Sequence, residues 1–204
     1  MKDILTAPFV EEMKKTTANM YRLGWDERNG GNISYLLDGD ELARYLDPGR
    51  VIRRIETGVR AKELAGRALL VTGSGKYFRN VTDDPETNLG VIRIADDGTT
   101  AELLWGFCGG GRPTSELPAH LKSHIARLAA DPENRVIMHT HPTHTLAMNY
   151  VHELDEKSSR TRCGRCAPSV SWSFPRAWAS FPGCSAGQTR SARPRRKKWK
   201  SSGS

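Results

Sequence analysis

Met138-His139-Thr140-His141, with His144 close behind, is the sharpest chemical signal in the chain. On a strand, alternate side chains face one side, so His139 and His141 can bring two imidazoles to one point. Imidazole ligates zinc, and a catalytic zinc typically takes three protein ligands and leaves a position open. Two ordinary histidines at a strand end would carry the same pattern. Two glycine turns come earlier, Asn29-Gly30-Gly31-Asn32 and Thr72-Gly73-Ser74-Gly75-Lys76. Glycine lets backbone approach a ligand closely, and successive N–H groups with Asn amides and a Ser hydroxyl can cradle an anion such as phosphate. The second turn lacks the long spacing of a nucleotide-binding P-loop. Each turn alone also reads as nothing more than a turn. Finally, Pro113-Thr114-Ser115-Glu116-Leu117 opens a helix, with Thr114 or Ser115 as its cap. Glu116 there either complements the helix dipole or, near a metal in a closed site, acts as a general base.

The elements that must position these residues follow from apolar periodicity. Phe9, Val10, Met13, Thr17, Met20 and Tyr21 share one face of a helix from Thr6 to Leu23, with Thr6 as N-cap, Pro8 in the first turn and Gly24 as the stop. Ile33, Tyr35 and Leu37 alternate with polar residues as in a half-buried strand. Ala68–Thr72 reads as a buried strand, and Asp96-Asp97-Gly98 as the turn of a hairpin between 91–95 and 102–105. Leu117, Leu121, Ile125 and Leu128 predict a second helix ending at Asp131-Pro132. Val136–His139 reads as a buried strand, and a third helix starts at Thr143. Such a mixture predicts an α/β layered fold.

Four segments together resemble the zinc-dependent class II aldolases, the family that also contains the adducin heads. They are Trp25-Asp26-Glu27-Arg28-Asn29-Gly30-Gly31-Asn32, Val71–Asn80, Pro113–His120 and Val136–His141, in the family's order and approximate spacing. The 24–32 stretch is most similar to the branch that acts on L-rhamnulose 1-phosphate. The resemblance covers about three quarters of the chain, residues 1–156. It implies a central, mainly antiparallel sheet flanked by helices, incomplete at the C-terminus. It implies zinc on His139, His141 and a third histidine, with Glu116 moving the proton at carbon. It also implies Asn29, Asn32, Ser74, Thr114 and Ser115 on the substrate phosphate. The implied reaction splits L-rhamnulose 1-phosphate into dihydroxyacetone phosphate and L-lactaldehyde, in a cytoplasmic homotetramer. His144 has no role in that pattern, and His120, His124 and His152 read as structural or surface residues.

Charge divides the chain. Residues 157–204 hold twelve Lys or Arg and no Asp or Glu, leaving 19 basic against 23 acidic side chains before them. The net charge of +8 is therefore local, and the body is mildly acidic. The tail also holds Cys163, Cys166, Cys184 and three of five tryptophans. Cys163-x-x-Cys166 has ligand spacing but no second pair, which argues against a zinc knuckle. A basic nucleic-acid arm is the other conventional reading. The genetic code offers a better one. Taking the last base of each codon with the first two of the next, Cys163-Gly164 (TGT-GGG) yields Trp and Arg165-Cys166 (AGA-TGT) yields Met. Continued through Trp178, permitted codons read Leu-Trp-Glu-Met-Cys-Thr-Glu-Cys-Leu-Val-Val-Phe-Pro-Glu-Gly-Val-Gly, which resembles the family's continuation. The expectation is an out-of-frame, disordered tail from 157, no nucleic-acid partner, and an impaired enzyme without its third histidine. The competing expectation is a non-catalytic, adducin-like binding protein with a basic partner-binding tail. No signal peptide and no membrane span are expected.

Overall fold

In the computed structural model, which describes residues 2–151, six strands form one antiparallel sheet. They are β1 (Asn32–Leu36), β2 (Arg53–Glu56), β3 (Ala68–Thr72), β4 (Leu89–Ile94), β5 (Thr100–Gly106) and β6 (Val136–His139). Their order across the sheet is β2-β5-β4-β3-β1-β6, with every neighbouring pair antiparallel. The helices are α1 (Pro8–Arg22), α2 (Gly39–Leu42), α3 (Pro85–Asn88), α4 (Leu117–Ala130) and α5 (Thr143–Val151). The tail reading of 157–204 and His152 lie outside the described residues.

Each face of the sheet has its own core. On one, Phe9, Val10, Met13 and Met20 of α1 pack with Ile33, Leu70, Val91 and Leu104. On the other, Leu117 and Leu121 of α4 pack with Leu36, Leu69, Val71, Ile92 and Leu103. The alternation of Leu69, Leu70 and Val71 between the two cores is the strand period at work. Because both faces are covered, β3 is buried throughout.

Helix α1 departs from expectation at its start. Asp3 caps a 3-10 turn at Ile4–Thr6, and Ala7 becomes the N-cap of α1, so Thr6 is not the cap. Tyr21, at the margin of the apolar stripe, is 49% exposed. The other end behaves as expected and more. Gly24 at φ +69° lets the chain reverse, with Trp25 N–H donating to Met20 C=O at 3.0 Å and Gly24 N–H to Tyr21 C=O at 2.9 Å. This is the paired C-terminal bond pattern of a Schellman turn.

Two strands also differ from their sequence patterns. β1 is buried on both faces, since its polar Ser34 points into the α4 side rather than to water. β6 is an edge strand, not a buried one. Val136 is 51% and Met138 54% exposed, and among the described residues β6 pairs with β1 alone. Among the described residues, no helix is long and apolar enough to cross a membrane.

Candidate active site

β1 is the axis on which the site is built. Asn32, its first residue, is paired in register with His139, the last of β6. Opposed residues of an antiparallel pair point to the same face, here the α4 face. Glu116 stands there at the N-cap of α4, yet its side chain caps nothing. The capping bond is instead Glu116 N–H to Thr114 Oγ1 at 3.2 Å. Released from its own helix, the carboxylate turns to the sheet. Its Oε2 accepts from Asn32 Nδ2 at 3.1 Å and lies 3.2 Å from His139 Nδ1. The Glu116 and His139 side chains are 42% and 40% exposed, so a small molecule can reach both.

His139 and His141 do meet, but not because both lie on a strand. β6 ends at His139, and His141 is placed by its backbone N–H, which donates to Trp25 C=O at 2.7 Å. Thr143 Oγ1 adds a bond to Gly24 C=O at 3.3 Å. The helix-ending turn of α1 thus carries the second imidazole. The two Nε2 atoms lie 2.8 Å apart, with the rings inclined at 63°. Gly30 makes this approach feasible: a Cβ there would lie 2.5 Å from His141 Nδ1. The 29–32 turn therefore backs a histidine, a role its glycines did not announce. His144 is exposed in the first turn of α5.

A second group of expected residues comes together next door. Ser74 N–H donates to Arg112 C=O at 2.8 Å, Thr114 N–H to Thr72 C=O at 2.9 Å, and Gly73 bridges Pro113. These bonds stitch the 72–75 turn to the 112–115 segment, with Ser74 and Ser115 exposed and Thr114 buried. Thr72 also reaches β1, its Oγ1 accepting from Ile33 N–H at 3.0 Å. Asn29 is exposed on its turn.

Sequence reasoning missed what lies behind Asn32. His120 and His124 are not surface residues; they are 2% and 0% exposed on the α4 face that meets β1. Asn32 Oδ1 bonds His120 Nε2, His120 Nδ1 lies 2.6 Å from Ser34 Oγ, and Ser34 Oγ lies 2.8 Å from His124 Nε2. Burial lowers the pKa of both rings to about 4, with Glu116 opposing the shift at His120, so both are neutral near pH 7.

The donor set suits a metal in part. The Glu116 carboxylate beside His139 Nδ1 favours the proton there, leaving the Nε2 lone pair turned towards His141. That is the tautomer a metal requires. Among the described residues no group of three His, Cys, Asp or Glu side chains is arranged to hold a metal ion.

A six-stranded antiparallel sheet between helices, with a carboxylate facing a His-x-His pair, is the arrangement of a class II aldolase. Residues 11–172 match the family model described as class II aldolase and adducin N-terminal domain, and the chain belongs to that family. It is 60% identical over 166 residues to a rhamnulose-1-phosphate aldolase of Listeria monocytogenes, covering 81% of this chain and 61% of the relative. Proteins of the same name from Enterococcus faecalis and Mannheimia succiniciproducens are 59% and 46% identical, covering 76% and 77% of this chain and 56% and 58% of the relatives. A sugar-phosphate aldolase from Thermotoga maritima superposes with a TM-score of 0.55 at 31% identity, over 68% of this chain and 55% of that structure. The chain spans about three fifths of the length of the curated relatives it matches.

Proposed function

We propose that this chain carries the N-terminal part of a zinc-dependent aldolase that cleaves L-rhamnulose 1-phosphate into dihydroxyacetone phosphate and L-lactaldehyde. The observation that carries the reading is Glu116. A carboxylate at a helix N-terminus ordinarily serves that helix, but this one leaves its helix for Asn32 and His139. The names of the relatives at 60% and 59% identity supply the substrate.

His139 and His141 would hold the zinc, with a third histidine that these 204 residues lack. A bound zinc would act as a Lewis acid for the negative charge that develops on substrate oxygen. Glu116 returns a proton to carbon in the cleavage direction and removes it in the reverse direction. Asn32 donates to the Glu116 oxygen and so holds it at one place. Ser74, Thr114 and Ser115, gathered on two stitched turns, together with Asn29 and Asn32, bind the phosphate by hydroxyl and side-chain amide groups. On this reading the enzyme works in the cytoplasm as a homotetramer and binds neither nucleic acid nor membrane.

The out-of-frame reading of 157–204 belongs to the same proposal, supported by the family-like peptide in the shifted frame and by the charge break. Sequencing the DNA decides it: a single inserted or deleted base must restore the peptide. In the restored protein, Glu116→Gln is expected to lower kcat about 100-fold or more with KM little changed, as for loss of a general base. Near-normal turnover would return Glu116 to a purely structural role.

A further inference from the structure

The hydrogen bonds behind Asn32 form one directed chain from His124 through Ser34 and His120 to Asn32 and Glu116. Its direction is fixed at the site end. The Glu116 carboxylate only accepts, so Asn32 must present its NH2 group there and its Oδ1 to His120. His120 Nε2 must then carry the proton, and its Nδ1 must accept from the Ser34 hydroxyl. Ser34 Oγ is left to accept from His124 Nε2–H. At the buried end, His124 Nδ1 has no partner among the described residues, and it is unpaired in either order, as a lone pair or as an N–H. Reversal, however, would set Asn32 Oδ1 against the Glu116 carboxylate, two acceptors in contact. The site end therefore selects the order.

The geometry points to His124, Ser34 and His120 as positioning residues: they lock the Asn32 amide so that its N–H face holds the Glu116 carboxylate against His139. Three features favour this over routine filling of a core. A hydrophobic helix face would satisfy itself with Leu at 120 and 124, as it does at 117 and 121. Both rings are held neutral by burial, so each has one donor and one acceptor, which a directed chain requires. And the chain ends on the carboxylate that carries the proposed chemistry. The inference rests on the aldolase reading for its catalytic consequence, though not for its geometry.

The first test needs no catalysis. Imidazole nitrogen NMR on the 204-residue chain at pH 7 should show His120 and His124 neutral with the proton on Nε2. Ser34→Ala should release the His120 tautomer and the Asn32 NH2 shifts, and Ser34→Thr should restore them. A cationic or Nδ1–H ring in the wild type overturns the proposal even if Ser34→Ala does not fold. The second test uses the protein with its tail returned to the family frame. Ser34→Ala should lower kcat about 10- to 100-fold, the scale of a misplaced catalytic group. Unchanged kcat alongside the expected NMR pattern reduces the chain to a structural feature and overturns the proposal. If that protein cleaves no sugar phosphate with Ser34 intact, the aldolase reading fails, and the NMR result alone decides the positioning.

Discussion

The two buried histidines should make the fold sensitive to acid in a way one substitution can halve. Each ring titrates near 4 when folded and near 6.5 when unfolded. A base whose folded pKa is depressed leaves the unfolded chain binding more protons, so stability is intact above about pH 6.5 and declines as pH falls towards 4. At pH 5 an unfolded ring is almost fully protonated and a folded one is not, a difference of about 2 kcal/mol per ring. Together the pair removes about 4 kcal/mol, a large part of the 5–15 kcal/mol typical of a domain. In His124→Gln the amide can still donate to Ser34 Oγ but cannot titrate. Urea unfolding of the 204-residue chain, followed by far-ultraviolet circular dichroism at pH 7.5 and 5.0, measures the loss in each protein. The loss should be smaller in His124→Gln by about 2 kcal/mol. All other titrating groups are common to both proteins and cancel. Parallel losses, agreeing within about 0.5 kcal/mol, would mean that His124 protonates in place without penalty, and the account of the buried pair would be wrong.

Gly30→Ala places a methyl within 2.5 Å of His141 Nδ1; it should cost about 1–3 kcal/mol and shift the His141 ring resonances, and an unchanged urea midpoint with unmoved resonances refutes the packing argument. Asp26 is buried with no well-formed hydrogen bond to its carboxylate among the described residues, and burial raises its pKa, opposed in part by backbone amides nearby, that of Phe78 foremost. A raised carboxyl pKa favours the fold while protonated and loses that contribution as pH rises, so Asp26→Asn should gain stability relative to wild type between pH 4 and 7.5, read from urea midpoints; a gap that shrinks with rising pH contradicts this. The 204-residue chain, offering His139 and His141, should retain well under one equivalent of zinc through gel filtration, as measured by atomic absorption, and stoichiometric retention would refute a two-imidazole site.

The residues of the candidate site stood out by type, because His-x-His and a helix-opening Ser-Glu are side chains able to do chemistry wherever they meet. How the residues meet was not legible. His139 and His141 were expected to converge by strand alternation, but the strand stops at His139 and a carbonyl 116 positions earlier places His141. No local pattern encodes a bond of that range. β6 read as buried because Val-Ile-Met is apolar, and composition does not say whether a strand has one neighbour or two. The positions of His120 and His124 were readable: with Leu117 and Leu121 they complete the i, i+3, i+4, i+7 stripe of α4. Treating histidine as polar hid the stripe. Ser34 was invisible for a complementary reason, since a polar residue on an alternating strand ordinarily points to water, and its partners lie 86 and 90 positions away.

The tie between Trp25 and His141 has a consequence for how the molecule is born. The hairpin of β4 and β5 and its neighbour β3 join segments close in the chain, whereas the last bonds of the site span the whole domain. A ribosome adds about 5–20 residues per second, so the end of α1 waits on the order of ten seconds for its partner to be made. Throughout that interval Asn32 and Ser34 lie on the open edge of a growing sheet. The imidazole pair cannot form before residue 141 has been made, by which point β1 to β5 and α4 have all been synthesised.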